Sequence, residues 1–217
     1  MGFISSLLDL LFPPKCAFCG KIKGHGDVAY CSGCTESLPF TLDCGRQEGD
    51  YYDFCVSPLY YKGVVRKSIH RFKFKGASAY ADAYGAVLAD CIRENPDLNY
   101  DLISWVPLSK KRERSRGYDQ AMLLALATAL RLDDVAVETL RKPHDVRAQS
   151  ELAGRTERSA NISGAYEAVD PELIEGKCIL LIDDIVTTGS TLSECAKVLR
   201  SVGAVRVVCA ALARGEV

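Results

Sequence analysis

The chain has 217 residues, enough for one large domain or for a small module joined to a medium-sized domain. Hydrophobic residues make up 48% of it and charged residues 25%, which excludes disordered, collagen-like and coiled-coil proteins. The formal net charge is −1, so overall charge gives no reason to expect a nucleic-acid or membrane partner.

The first residues predict a short amphipathic helix. Apolar side chains recur at helical spacing from Phe3 to Leu11, and Pro13 and Pro14 end the pattern. The stretch has no basic n-region, carries Asp9 within its apolar run and is too short to cross a bilayer. We therefore expect neither a signal peptide nor a membrane span.

Two Cys-x-x-Cys pairs follow the helix. Cys16 and Cys19 lie in CAFC, and Cys31 and Cys34 lie in CSGC. This spacing is typical of a tetrahedral Zn²⁺ site that four thiolates close, with no position left for water or substrate. A structural zinc ion would stabilise a module too small to bury much of a core. A redox pair and two disulfides are the alternatives.

The other six cysteines predict no second metal site. Cys44 and Cys55 have no close partner in the sequence, and the rest lie in apolar or helical surroundings where they would be small buried hydrophobes: Cys91, Cys178, Cys195 and Cys209. Ten cysteines without a secretory signal favour thiols that stay reduced, and therefore a cytoplasmic location.

The remaining pattern predicts an α/β domain. A turn-rich acidic stretch marks a boundary near residue 55, between an N-terminal module, residues 1–55, and a second domain, residues 56–217. We expect a short strand at 56–61, helices at 64–76 and 77–95, then strand 101–107, helix 119–132 capped by Asp119, and strand 134–140. After a long basic loop, strand 177–183, helix 191–204 and strand 205–213 complete a parallel sheet with helices on both faces.

The string ILLIDDIVTTGST, residues 179–191, carries the chemistry. A buried strand ends at Asp183 and Asp184, and the loop that follows leads into a helix. Ligands of such sheets bind beyond the carboxyl ends of the strands. Carboxylates suit a sugar diol or Mg²⁺, whereas hydroxyls and backbone N–H groups at a helix N-terminus suit a phosphate. The pattern predicts a ribose 5-phosphate site with a phosphate loop of Thr187, Thr188, Gly189, Ser190 and Thr191. The alternative is an N-cap and a surface acid before an ordinary helix.

Basic residues are concentrated in three stretches, 62–75, 110–116 and 141–158, which hold 16 of the 27 lysines and arginines. They predict an anion-binding face if they meet in space, or otherwise three solvated surfaces. The first stretch also interleaves aromatic residues, a composition suited to single-stranded DNA, with Arg71, Lys73 and Lys75 as possible contacts. Its apolar members could equally belong to the core.

The 179–191 string resembles the signature that type I phosphoribosyltransferases use to bind PRPP (5-phosphoribosyl 1-diphosphate). Four N-terminal cysteines followed in order by YYKGVVRKSIHRFKFKG, WVPLSKKRERSRGYDQA and AQSELAGRTERSANISGAY resemble the ComF family of competence-type proteins over nearly the whole chain.

That resemblance implies a site. Asp183 and Asp184 would hold the ribose hydroxyls as the catalytic positions, with Mg²⁺ bound alongside PRPP. The long basic loop would act as a lid. The diphosphate would be held by residues of the loop after strand 101–107 and of the lid: Leu108, Ser109, Lys110, Arg112, Arg116, Arg155 and Arg158.

Two functions follow from these expectations. One is an enzyme that transfers phosphoribosyl from PRPP to a nitrogen base, with release of diphosphate, in DNA uptake or processing. The alternative is a non-catalytic competence protein that binds single-stranded DNA and uses PRPP only as a ligand. The acceptor base and the oligomeric state are not readable from the sequence.

Overall fold

The structure, a computed structural model, describes residues 13–23, 30–143 and 165–216. Its strands are β1 (Cys55–Val56), β2 (Leu59–Tyr60), β3 (Leu102–Trp105), β4 (Leu140–Arg141), β5 (Glu167–Ala168), β6 (Cys178–Val186) and β7 (Arg206–Arg214). Its helices are α1 (Ser32–Ser37), α2 (Gly63–Phe74), α3 (Tyr80–Arg93), α4 (Lys110–Arg116), α5 (Gln120–Arg131), α6 (Pro171–Ile174) and α7 (Ser190–Ser201). A 3₁₀ turn spans Leu42–Gly45.

Five parallel strands form the main sheet. β6 pairs with β3 on one side and with β7 on the other, and the short strands β1 and β2 both pair with the free edge of β7. Because side chains alternate along a strand, Leu180 and Ile182 of β6 join one core while Ile179 and Leu181 join the other. The predicted α/β fold, a parallel sheet covered on both faces, is confirmed.

The core on the first face unites α2, α3 and α5 with the cysteine module. Phe18, between the first two cysteines, is fully buried there, and its ring packs against Tyr84 of α3. Gly85 of α3 lies so close to α5 that a Cβ at this position would be 2.7 Å from the backbone carbon of Ala127. Two helices can approach this closely only where one of them lacks a side chain.

The segment before residue 55 adds to the edge of the sheet. The Asp53 N–H donates to the Val207 carbonyl at 2.8 Å, and the Cys209 N–H donates to the Phe54 carbonyl at 2.9 Å. The aromatic side chains of Tyr52 and Phe54 are buried. Residues before the predicted boundary near residue 55 thus pack into the cores on both faces of the sheet, and the boundary itself stays a prediction.

Two regions differ from the expected elements. The predicted strand 134–140 pairs with β3 only at Ala136, and its last residue begins β4, which is antiparallel to β5. Residues 110–116, expected as a basic loop, form helix α4, whose first turn Ser109 caps by accepting a hydrogen bond from the Arg112 N–H. In the parts of the chain that the structure covers, no helix combines the length and the apolar character that a bilayer crossing requires.

Candidate functional site

The four predicted zinc ligands form one cluster. The sulfurs of Cys16, Cys19, Cys31 and Cys34 all lie within 4.8 Å of one another. The Sγ atoms of Cys16 and Cys34 are 3.7 Å apart, and those of Cys19 and Cys31 are 3.6 Å apart. A tetrahedral Zn²⁺ with Zn–S bonds of about 2.3 Å places its sulfurs about 3.8 Å apart, so these thiols fit the ion.

Backbone amides support the thiolate form in this cluster. Burial alone would raise the pKa of Cys16, but hydrogen bonds from the amides of Cys19, Cys31 and Phe18 outweigh it and lower the pKa to about 7. The thiolate is the form that binds metal. Within the described residues this is the one cluster of potential metal ligands, and neither Cys44 nor Cys55 belongs to it.

The predicted acid pair lies at the carboxyl end of β6. The Asp184 side chain is largely buried and accepts a hydrogen bond from Lys73 Nζ at 2.8 Å. Asp183 Oδ1 accepts a hydrogen bond from the Asp184 N–H at 2.7 Å. Burial first, and then the charge of Asp184, raise the pKa of Asp183 to about 8. Two adjacent carboxyls in this setting attract a cation and offer acceptors to a diol.

The loop after β6 has the conformation of an anion cradle. It lines a small cavity of about 30 Å³ that also reaches Asp183; the predicted phosphate-loop residues on its wall are Thr187, Thr188, Gly189, Ser190 and Thr191. Gly189, at φ +76°, directly precedes α7, and the hydroxyls of Thr188 and Ser190 are 3.0 Å apart. A left-handed glycine before a 12-residue helix leaves the first N–H groups of that helix without intrahelical acceptors, and such groups suit an anion.

Tyr52, from the segment before the sheet, supports this loop. A Cβ at Gly189 would lie 2.2 Å from the Tyr52 hydroxyl oxygen. The hydroxyl is also 3.4 Å from Gln47 Nε2, and the ring is almost fully buried. The loop at 187–191 therefore contacts an aromatic side chain that lies 137 residues before Gly189, and the sequence analysis did not identify it.

A larger cavity of about 250 Å³ adjoins the acid pair. Asp183 and Thr191 line both cavities. Its cationic side chains come from three separate stretches of sequence: Lys73, Arg112, Arg116 and Lys142. The concentration of positive charge that the sequence analysis predicted is thus present beside the acids.

Asp119 holds the wall of this cavity in place. One carboxylate oxygen caps α5 by accepting from the Met122 N–H at 3.1 Å, and the other accepts from the Leu108 N–H at 2.7 Å. Leu108, Ser109, Arg112 and Arg116 of the predicted diphosphate loop line the cavity, whereas Lys110 does not. Arg116 is fixed by Gln120, whose Oε1 accepts from its Nη1 at 2.5 Å.

Lys142 and Tyr166 close the opposite side. Lys142 Nζ lies 3.4 Å from the Tyr166 hydroxyl. Both residues are next to the two-stranded sheet of β4 and β5, in which Arg141 pairs with Glu167. The sequence analysis included Lys142 only as a member of the basic stretch 141–158 and gave Tyr166 no role, because each reaches the site through the pairing of β4 with β5. The predicted lid arginines, Arg155 and Arg158, lie outside the described residues.

The three predicted DNA contacts do not share one surface. Lys73 lines the cavity with the acids and pairs with Asp184, and its role as a DNA contact stays a prediction. The Arg71 guanidinium donates to the carbonyls of Ala17 and Phe18, at 3.0 and 2.7 Å. Arg71 and Lys75 both line an open groove of about 660 Å³, together with other side chains of α2 and its approach: Tyr61, Arg66, Lys67 and His70.

Comparison with known protein families gives a match for each of the two parts of the chain. A model of the phosphoribosyl transferase domain matches residues 119–216, and a model of the double zinc ribbon domain matches residues 7–56. Together with the parallel sheet and the four-cysteine cluster, these matches define a type I phosphoribosyltransferase fold that carries an N-terminal zinc ribbon.

Curated relatives specify the family. The chain is 31% identical to DNA utilization protein YhgH of Escherichia coli K12, with 91% of this chain and 96% of that protein covered. It is 28% identical to Competence protein F of Haemophilus influenzae, covering 92% and 96%. It is 30% identical to Competence protein ComFC of Bacillus subtilis, covering 66% and 56%. The protein belongs to the ComF/YhgH family of competence and DNA utilization proteins.

Proposed function

We propose that this protein binds Mg-PRPP in the two joined cavities and transfers its phosphoribosyl group to a nitrogen base. The observation that carries the proposal is the continuity of the site. A phosphate-sized loop cavity, two carboxyls and a cavity lined by four cationic side chains follow one another, with Asp183 and Thr191 common to both cavities. PRPP presents a 5-phosphate, a ribose diol and a diphosphate in the same order.

Each group of residues then has one task. The loop at 187–191 binds the 5-phosphate, and Asp183 and Asp184 accept hydrogen bonds from the ribose hydroxyls. Arg112, Arg116 and other cations of the larger cavity stabilise the negative charge that grows on the diphosphate as its bond to C1 breaks and the nitrogen bonds to C1. Asp183 and Asp184 would also hold Mg²⁺, which would supply further neutralisation of that charge.

This mechanism needs positioning and electrostatics and no covalent intermediate. The cationic carbon centre must be kept from water as diphosphate leaves, which is the task of a lid. We assign the lid to the segment between β4 and β5, because the two strands bring its ends together beside the site. The reduced cysteines support a cytoplasmic location, and the names of the relatives support a role in DNA uptake or use.

Calorimetric titration of Mg-PRPP tests the proposal. The Asp183→Asn/Asp184→Asn variant should lose saturable binding. A matched control is Asp133→Asn/Asp134→Asn, which removes the same charge from two adjacent exposed acids outside both cavities. Wild-type protein that gives no binding heat, or equal binding by both double variants, would contradict a ribose-phosphate site. Binding without turnover of any nucleobase would leave the protein a PRPP-dependent non-enzyme.

The open groove on α2 favours a second function, binding of single-stranded DNA. It places four basic side chains, Arg66, Lys67, Arg71 and Lys75, next to Tyr61 and His70, and so combines neutralisation of the DNA backbone with stacking surfaces. The test is salt-dependent binding of an oligonucleotide by wild type and by Lys67→Glu/Lys75→Glu.

The control for that test is Lys177→Glu/Lys197→Glu, which reverses two exposed lysines outside the groove. We expect weaker binding and a shallower salt slope in the groove variant alone. Equal effects in both variants would mean that only net charge matters and that the groove is no DNA site.

A further inference from the structure

Lys73 forms an ion pair that differs from a surface salt bridge. Its Nζ lies 2.8 Å from Asp184 Oδ1, and the two side chains are only 19% and 11% exposed. Taking both charges out of water has a cost that their attraction must offset. The pair also occupies one of the two carboxyls that the proposed function assigns to the ribose. A ligand that takes the place of Nζ at Asp184 Oδ1 therefore displaces the ammonium.

The displaced ammonium has an evident destination. Lys73 lines the same cavity as Arg112 and Arg116, on the side of the acids away from the phosphate loop. A lysine carries a compact charge on a flexible four-carbon stem, so it can exchange partners without movement of its backbone. The ligand group that would meet it there is the diphosphate.

The backbone around Lys73 is held on both sides. The Tyr118 hydroxyl donates to the Phe72 carbonyl, and Arg71 donates to two carbonyls of the cysteine module. On the other side, the Phe74 ring packs under the Arg116 guanidinium, 4.9 Å from the ring centroid. The end of α2 is thus fixed in place while the Lys73 side chain alone can change partner.

We propose that Lys73 is a diphosphate-binding residue of the PRPP site that pairs with Asp184 in the ligand-free protein and moves to the diphosphate when Mg-PRPP binds. The inference rests on the proposed function. Lys73 belongs to α2, which lies outside the matched phosphoribosyl transferase region. Its ammonium would help the site to bind PRPP in preference to a ribose phosphate that has no diphosphate.

The test compares two ligands, Mg-PRPP and ribose 5-phosphate with Mg²⁺, by calorimetry on zinc-loaded protein. Lys73→Gln removes the ammonium but keeps a polar side chain of similar reach. We expect its dissociation constant for PRPP to rise about 10- to 100-fold, the usual range for one charge-assisted hydrogen bond. Ribose 5-phosphate should bind equally well or more tightly, because it no longer has to break the ion pair with Asp184.

The matched control is Lys177→Gln, which changes an exposed lysine outside both cavities. It should bind both ligands like wild type. A Lys73→Gln variant that binds PRPP like wild type, or that loses affinity for both ligands by the same factor, would overturn the inference while the PRPP site stands. Failure of wild type to bind PRPP would overturn the proposed function, and the role of Lys73 with it.

Discussion

The contact between Gly189 and Tyr52 predicts a large and specific effect of Gly189→Ala. The loop after β6 reaches α7 through Gly189 at φ +76°, and the nearest atom to an added methyl group would be the Tyr52 hydroxyl oxygen at 2.2 Å. Two separate costs result. The alanine must adopt a left-handed backbone, and the methyl group must push either the loop or the tyrosine away.

The two costs can be given magnitudes. A left-handed conformation costs a residue other than glycine about 1–2 kcal/mol. The Tyr52 side chain is only 2% exposed, so it has little room to move, and overpacking of this kind costs about 1–3 kcal/mol. We therefore expect Gly189→Ala to lower the free energy of unfolding by about 2–5 kcal/mol. The dissociation constant for PRPP should rise as the loop N–H groups leave their positions.

Tyr52→Phe separates the two costs. It removes the atom at 2.2 Å and leaves ring carbon Cζ, 3.2 Å from the added Cβ, as the nearest remaining tyrosine atom. Alone it should cost little, because its hydroxyl makes only long hydrogen bonds of 3.4 and 3.5 Å. Urea unfolding of both single variants and the double variant forms a cycle. We expect Tyr52→Phe to recover about 1–3 kcal/mol in the Gly189→Ala background. Effects that add within about 0.5 kcal/mol would refute the steric argument.

Three further predictions concern the metal cluster, the acid pair and the cavity wall. Cys16→Ser should abolish the binding of one zinc ion per chain, measured by atomic emission, and should lower the melting temperature. Cys178→Ser, outside the cluster, should keep the metal. The pKa of Asp183 is raised to about 8 in the folded protein and is about 4 when unfolded, so its protonation favours folding at low pH. The urea midpoint of the ligand-free protein should fall as pH rises from about 5 to 8, and Asp183→Asn should flatten that profile. Asp119→Ala leaves the Leu108 and Met122 amides without their acceptor, so it should lower the free energy of unfolding in urea by about 1–3 kcal/mol and weaken PRPP binding. A variant as stable as wild type would contradict this role of Asp119.

Sequence patterns predicted the features that depend on neighbouring residues. The 179–191 string contains its strand, acids, turn and helix start within 13 residues, so its local order already implied a strand that ends at a loop and a helix. The cysteine spacing predicted the cluster for the same reason. The cap at Asp119 is confirmed as well.

Features that depend on distant residues were not predictable in this way. Tyr52 supports the loop at Gly189, and Lys73 reaches Asp184, across more than 100 residues of chain. Helix α4 was missed because its seven residues include no buried side chain, and hydrophobic periodicity carries no signal in an all-polar helix. Its cap, Ser109, and the glycine that ends it were the readable signs.

Helix α2 contacts both the cysteine module and the acid pair, through two side chains that lie two residues apart. Arg71 holds the Ala17 and Phe18 carbonyls between the first two cysteines, while Lys73 holds Asp184. Zinc and PRPP would then be thermodynamically linked ligands, since each acts on the same helix end. Linkage is reciprocal: if removing zinc weakens PRPP binding by some factor, PRPP must strengthen zinc binding by that same factor. The small module would then set how tightly the larger domain holds its substrate.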